Sequence, residues 1–206
     1  MKKVFALGVG LALASGAFAQ TWTEVGDADE LAPQVTSGTG PLTLIAGSTL
    51  SASGDTTGVD LYCIQVTDWS VFSASLAGGA TFDTQLFLFT AGGLGIANND
   101  DSSGVQSVLP AGNALYASRT NGEIVNIAVS GYNRDPNSVG GLIFPNTFSG
   151  VNGPTGPGGG SPLSSWSGSP ATGDYRLALT GATYCIPEPG SLALLALGAL
   201  PRIRRR

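Results

Sequence analysis

From Val59 onward, apolar and polar residues change places at every second position, in short runs closed by glycine, asparagine, aspartate or proline. The runs cover residues 59–66, 71–76, 85–90, 114–118, 124–130 and 175–180, and β-branched and aromatic side chains dominate them. Alternation at period two sends successive side chains to opposite faces of an extended chain, so these runs read as half-buried strands. Between residues 20 and 186 no window carries an apolar stripe at the 3.6-residue period over helical length. With 31 glycines available for turns, the expectation is an all-β, antiparallel sandwich.

The two ends of the chain follow other rules. Lys2 and Lys3 precede an apolar stretch over residues 4–14, and Ala17 and Ala19 place small side chains where a signal peptidase cuts. Residues 1–19 therefore read as a secretory signal peptide, a short helix removed after Ala19. At the other end, Pro187, Glu188 and Pro189 introduce an apolar run over residues 190–200, closed by Pro201 and the cationic group Arg202, Arg204, Arg205 and Arg206. An apolar segment with a positive trailing end is held at a bilayer as the chain crosses it. The run is about half of the roughly 20 residues that span a hydrocarbon core. Either it works as a short helical anchor inserted transiently, or the chain ends up soluble outside the cell. This arrangement resembles the PEP-CTERM sorting signal of exopolysaccharide-producing bacteria. The resemblance implies an exosortase-type enzyme as partner, exopolysaccharide as a neighbour, and a cell-envelope or extracellular location. The body between the signals, residues 20–186, fits one domain.

Charge narrows the partners. Of 14 acids all but Glu188, hence thirteen, fall in the body, against three of the nine bases, Arg119, Arg134 and Arg176. The body's net charge is then 3 − 13 = −10, which excludes a nucleic-acid partner, since phosphate binding needs clustered cations. The chain has no histidine, which removes histidine-activated nucleophiles and ordinary zinc sites. Both lysines lie in the signal peptide, so the body has no serine–lysine dyad either, and no enzyme is expected. An unrecognised secreted hydrolase is the alternative. The two cysteines, Cys63 and Cys185, lie in the exported body. An oxidising compartment favours linking them; two buried free thiols are the other reading.

Residues 140–173 break the strand rhythm with a Gly/Pro/Ser-rich insertion, expected to be a largely mobile loop that Phe144 and Trp166 pin in places. Around it, five stretches occur in a fixed order: residues 59–62, 82–89, 96–102, 122–132 and 173–177. That order resembles the bacterial pre-peptidase C-terminal (PPC) domains over residues 59–180. The resemblance implies a small jelly-roll-like sandwich and a binding or structural role. Asn98, Asp100 and Asp101, with Asp83 one strand away, offer the oxygen ligands that calcium takes. The same composition suits an ordinary turn whose side chains cap their own backbone. Asp100 and Asp101, adjacent in an extended segment, are expected to point to opposite faces. The function expected is thus a non-catalytic binding or structural module, with a calcium-dependent carbohydrate or matrix binder as the variant that uses the acidic residues.

Overall fold

The computed structural model describes residues 20–50, 58–102, 104–147, 149–169 and 171–187. The expected signal peptide with Ala17 and Ala19, the tail from Glu188 through Pro189 to Arg202, Arg204, Arg205 and Arg206, and both flanking helices lie outside the described residues.

The described chain is all-β apart from one 3₁₀ turn. In chain order the strands are β1 (Gln20–Thr23), β2 (Gln34–Val35), β3 (Ser37–Gly38), β4 (Leu42–Ser48), β5 (Val59–Val66), β6 (Ser73–Ser75), β7 (Thr84–Thr90), β8 (Gly95–Asn99) and β9 (Val108–Leu109). After the 3₁₀ turn at Ala114–Tyr116 follow β10 (Glu123–Gly131), β11 (Asp135–Ser138), β12 (Gly141–Leu142), β13 (Val151–Asn152), β14 (Ser165–Ser167), β15 (Asp174–Thr180), β16 (Ala182–Tyr184) and β17 (Ile186–Pro187).

Two main sheets face each other. One runs β1-β4-β15-β6-β9 and the other β13-β8-β7-β10-β5-β16, with β2 added to β5. Between them lies one core. The first sheet supplies Leu42, Ile45, Tyr175, Leu177 and Leu179, and the second supplies Tyr62, Ile64, Leu86, Leu88, Val125, Ile127 and Val129. In β15 the expected alternation holds: Tyr175, Leu177 and Leu179 are buried while their neighbours are exposed.

The long strands β5, β7 and β10 differ from the half-buried expectation, being buried on both faces over most of their length. A second core covers their outer side. There Val59, Leu61, Phe87, Phe89 and Ala128 meet Ile143, Phe144 and Trp166 from the Gly/Pro/Ser-rich insertion. The insertion is therefore a packed cover rather than the mobile loop expected. Its backbone bonds to itself and to the body, through Gly156 N–H to Ile143 O, Gly158 N–H to Leu142 O and Leu163 N–H to Gly93 O. Its glycines are needed for close approach, since a Cβ at Gly158 or Gly159 would collide with the carbonyl oxygens of Gly141 or Pro154.

Two further differences concern pairing. The expected strand over residues 114–118 is the 3₁₀ turn instead, because the Asn113 side-chain oxygen accepts the Leu115 N–H at 3.0 Å and starts a helical turn. The sheets are also mixed rather than purely antiparallel: β1–β4, β2–β5 and β3–β17 run parallel. All three pairs use residues 20–38, which join each sheet by a long crossing and not by a hairpin turn. The last of them pairs Pro187 with Gly38, so this proline of the expected sorting motif is paired with the body. A proline is tolerated at such a strand end because no further ladder N–H is required of it.

Candidate calcium site

Sheet topology brings the expected acidic ligands together. Strands β7 and β8 are antiparallel neighbours, with Leu86 opposite Asn99. The residue just before β7, Asp83, therefore lies beside the residues just after β8, Asp100 and Asp101. Here the chain bends, and Asp101 bridges to Ser149. The bend corrects the expectation that adjacent Asp100 and Asp101 point apart: Asp83, Asp100 and Asp101 each place a carboxylate oxygen within 4.8 Å of the other two.

Among the described residues of this turn, Asn99 takes the capping role. Its Oδ1 accepts from Val108 N–H at 2.7 Å and from Ser102 Oγ at 2.9 Å, and its Nδ2 donates to Gly150 O at 2.8 Å. Thr84 and Ser107 bond through their hydroxyls at 3.0 Å and tie the loop back to β7. The remaining acidic and amide oxygens are left over. Oδ1 of Asp83, Asp100 and Asp101, and Oδ1 of Asn98 two residues before Asp100, are buried without a hydrogen-bond partner. Asp100 is only 3% exposed. Buried polar atoms in folded proteins are nearly always paired, and here three carboxylates that converge each carry one that is not.

Electrostatics agrees. Burial, then the charges of Asp101, Asp83 and Asp135, push the Asp100 carboxyl up to about 7. Burial and the Asp101 charge raise Asp83. Asp135, at the start of β11, is raised by burial against a 3.3 Å bond from Gln85 Nε2. Sequence reading missed Asp135: it lies 34 residues past Asp101 on another strand, and no spacing rule connects them.

Oxygen ligands sit about 2.4 Å from calcium, so two ligands of one ion can be at most about 4.8 Å apart. The three carboxylates meet that limit. Nitrogen and sulfur donors are absent from the set: the chain has no histidine, and both cysteines are linked. Hard oxygen donors of this kind suit calcium over transition metals. The expected disulfide is present, joining Cys63 on β5 to Cys185 between β16 and β17 with a Cα–Cα distance of 5.4 Å. Among the described residues no helix is long and apolar enough to cross a membrane. No protein-family model, curated protein or solved structure matches the chain.

Proposed function

We propose that this chain is an exported, non-catalytic module of the cell envelope or extracellular matrix, and that calcium held by Asp83, Asp100 and Asp101 stabilises the form that binds or builds there. One observation carries the calcium reading: three converging carboxylates, each with a buried oxygen lacking a hydrogen-bond partner. Asn98, whose buried Oδ1 also lacks a hydrogen-bond partner, is the further donor proposed for the shell. A bound cation would offset the mutual repulsion that raises Asp100 and Asp83, and would tie the loop after β8 to the start of β7. Calcium here is a structural clamp and requires no activated nucleophile, which suits a body without histidine or lysine. The finer description of the body as an antiparallel, jelly-roll-like sandwich of PPC type belongs to the same proposal. Its support is the ordered set of strand motifs and the single core shared by the two main sheets.

Melting the full chain in calcium and in chelator tests the clamp. Calcium at a hundred times its Kd should stabilise the protein by about 2.7 kcal/mol, and magnesium by less, because it demands tighter octahedral geometry. The Asp100→Asn/Asp101→Asn variant should lose the part of that gain that the loop site supplies. Identical melting of the unaltered chain in calcium and chelator would sink the reading.

The export half rests on the two terminal segments. Deleting residues 188–206 should move the protein from the envelope fraction to the medium and change folding stability by less than about 1 kcal/mol, since that segment carries no alternating strand pattern. Cell fractionation with a denaturant melt checks both parts. Unchanged partitioning would remove the sorting role. N-terminal sequencing of exported material should begin at Gln20.

A further inference from the structure

A second group of acids lies on a different face of β5 from the insertion, at the margin of the core between the two main sheets. Glu24 follows β1, Asp27 lies three residues on, and Asp60 is the second residue of β5. Each places a carboxylate oxygen within 4.8 Å of the other two. Asp60 shares the parity of Tyr62, Ile64 and Val66, and those three face the inter-sheet core. A carboxylate at that parity is out of place in an apolar layer unless something pairs it.

Its surroundings pair only one of its oxygens. Asp60 is fully buried, at 0% exposure. Oδ2 accepts the Tyr175 hydroxyl at 2.5 Å, and the Tyr62 hydroxyl lies 2.6 Å from that of Tyr175. Oδ1 is buried with no partner. Glu24 is fixed by backbone: its Oε1 accepts Ala28 N–H at 2.9 Å and its Oε2 accepts Ser48 N–H at 2.8 Å. Glu24 and Asp60 take part in neither the Arg119–Glu123 nor the Arg134–Glu30 ion pair. The built features are thus a fixed carboxylate, a second half-buried one, and a fully buried third with a free oxygen. A groove lined by Glu24, Gly47, Ser48 and Tyr175 opens on Glu24 from solvent.

We infer that Glu24, Asp27 and Asp60 form a second calcium site, separate from the loop site, which ties the segment after β1 to strands of both main sheets. The oxygen spacing fits one ion, by the same limit of about 4.8 Å between ligands. Such an ion would give Asp60 Oδ1 the partner that the protein does not supply. Burial, together with the Glu24 and Asp27 charges, pushes Asp60 up to about 8, and burial also raises Glu24. Three carboxylates gathered in this way repel one another unless a cation or a shared proton sits among them. Calcium could bridge all three; one proton cannot. Tyr175 belongs to β15 and Asp60 to β5, so the hydrogen bond between them already joins the two sheets, and the ion would add the N-terminal segment to that joint.

The two sites lie three strands apart on one sheet, since Asp60 is opposite Val129, Val129 opposite Leu86 and Leu86 opposite Asn99. They can therefore be removed one at a time. Asp60→Asn risks the fold, so the half-buried Asp27 is the residue to change. Isothermal titration of metal-stripped full chain with calcium chloride should show two ions per chain. Asp27→Asn should retain one, Asp100→Asn/Asp101→Asn should retain one, and the combined variant none. A chain that binds one ion, lost in Asp27→Asn and kept in the loop variant, would support this site and overturn the loop site alone. Uptake unaffected by Asp27→Asn, or a loop variant that takes up no calcium, would overturn the second site. A proton held between two of the three acids predicts that latter result.

Discussion

Replacing Cys63 and Cys185 together by serine should cost the protein about 2–5 kcal/mol of folding stability, and reducing agent should cost the unaltered protein a similar amount. The bridge closes 122 residues of chain, and a loop of about 100 residues corresponds to roughly 4.7 kcal/mol in the chain-entropy account. Its native surroundings should survive the loss. Thr36 is fully buried and donates its hydroxyl to Cys63 O at 2.8 Å, while Cys185 N–H donates to Thr36 Oγ1 at 3.0 Å. That hydroxyl holds the same strands together without the sulfur bond. The cost should thus arise mainly in the unfolded chain, leaving the folded arrangement in place while the denaturation midpoint falls. Denaturant melts with and without reductant measure it. Identical midpoints in the two conditions, or two titratable thiols in the oxidised unfolded protein, would refute the prediction.

Phe87→Ala should cost about 3–5 kcal/mol, the range for emptying a large aromatic site in a packed core. Phe87 is 1% exposed. It contacts Phe144 and Trp166 of the insertion at centroid distances of 5.7 and 5.4 Å, and Phe89 at 6.5 Å. Trp166 is further fixed by donating its indole N–H to Glu30 O at 2.8 Å, and Arg134 pairs with Glu30 at 2.7 Å. Removing the Phe87 ring takes away the surface on which the insertion sits. Tryptophan fluorescence should shift to the red, and residues 140–173 should become the first site of proteolysis. A loss below about 1 kcal/mol with unaltered fluorescence would show that the insertion is not part of the fold.

Much of the scaffold was legible from period-two alternation. The expected 59–66 strand is β5 to the residue, and β7, β10 and β15 each lie within one residue of their expected bounds. The run Leu86-Phe87-Leu88-Phe89 held a signal that alternation masks: four apolar residues in succession mean burial on both faces. A cover for the outer face was therefore required, and the glycine-rich segment supplies it through Ile143, Phe144 and Trp166. Composition hid this, because its glycines serve close backbone contact as well as turns. The N-terminal strands were not legible, since β2 and β3 are two residues long and owe their existence to partners far along the chain.

For the sites, residue type was readable and convergence was not. Asp83, Asp100 and Asp101 stood out as candidate oxygen ligands, yet only the β7–β8 pairing and the bend after Asn99 bring them together. Asn99, in the same turn, caps it instead. Asp60 carried a usable sign, a carboxylate on the inward parity of a buried strand, but its partners Glu24 and Asp27 lie over thirty residues away. What the sequence by itself determined is local: strand periodicity, turn positions, ligand chemistry, and the absence of histidine and lysine chemistry from the body. Which strands pair, which face the insertion covers and which acids meet were decided by tertiary structure. Those depend on contacts between residues distant in the chain, and period-two alternation only says which faces must be buried, not what buries them.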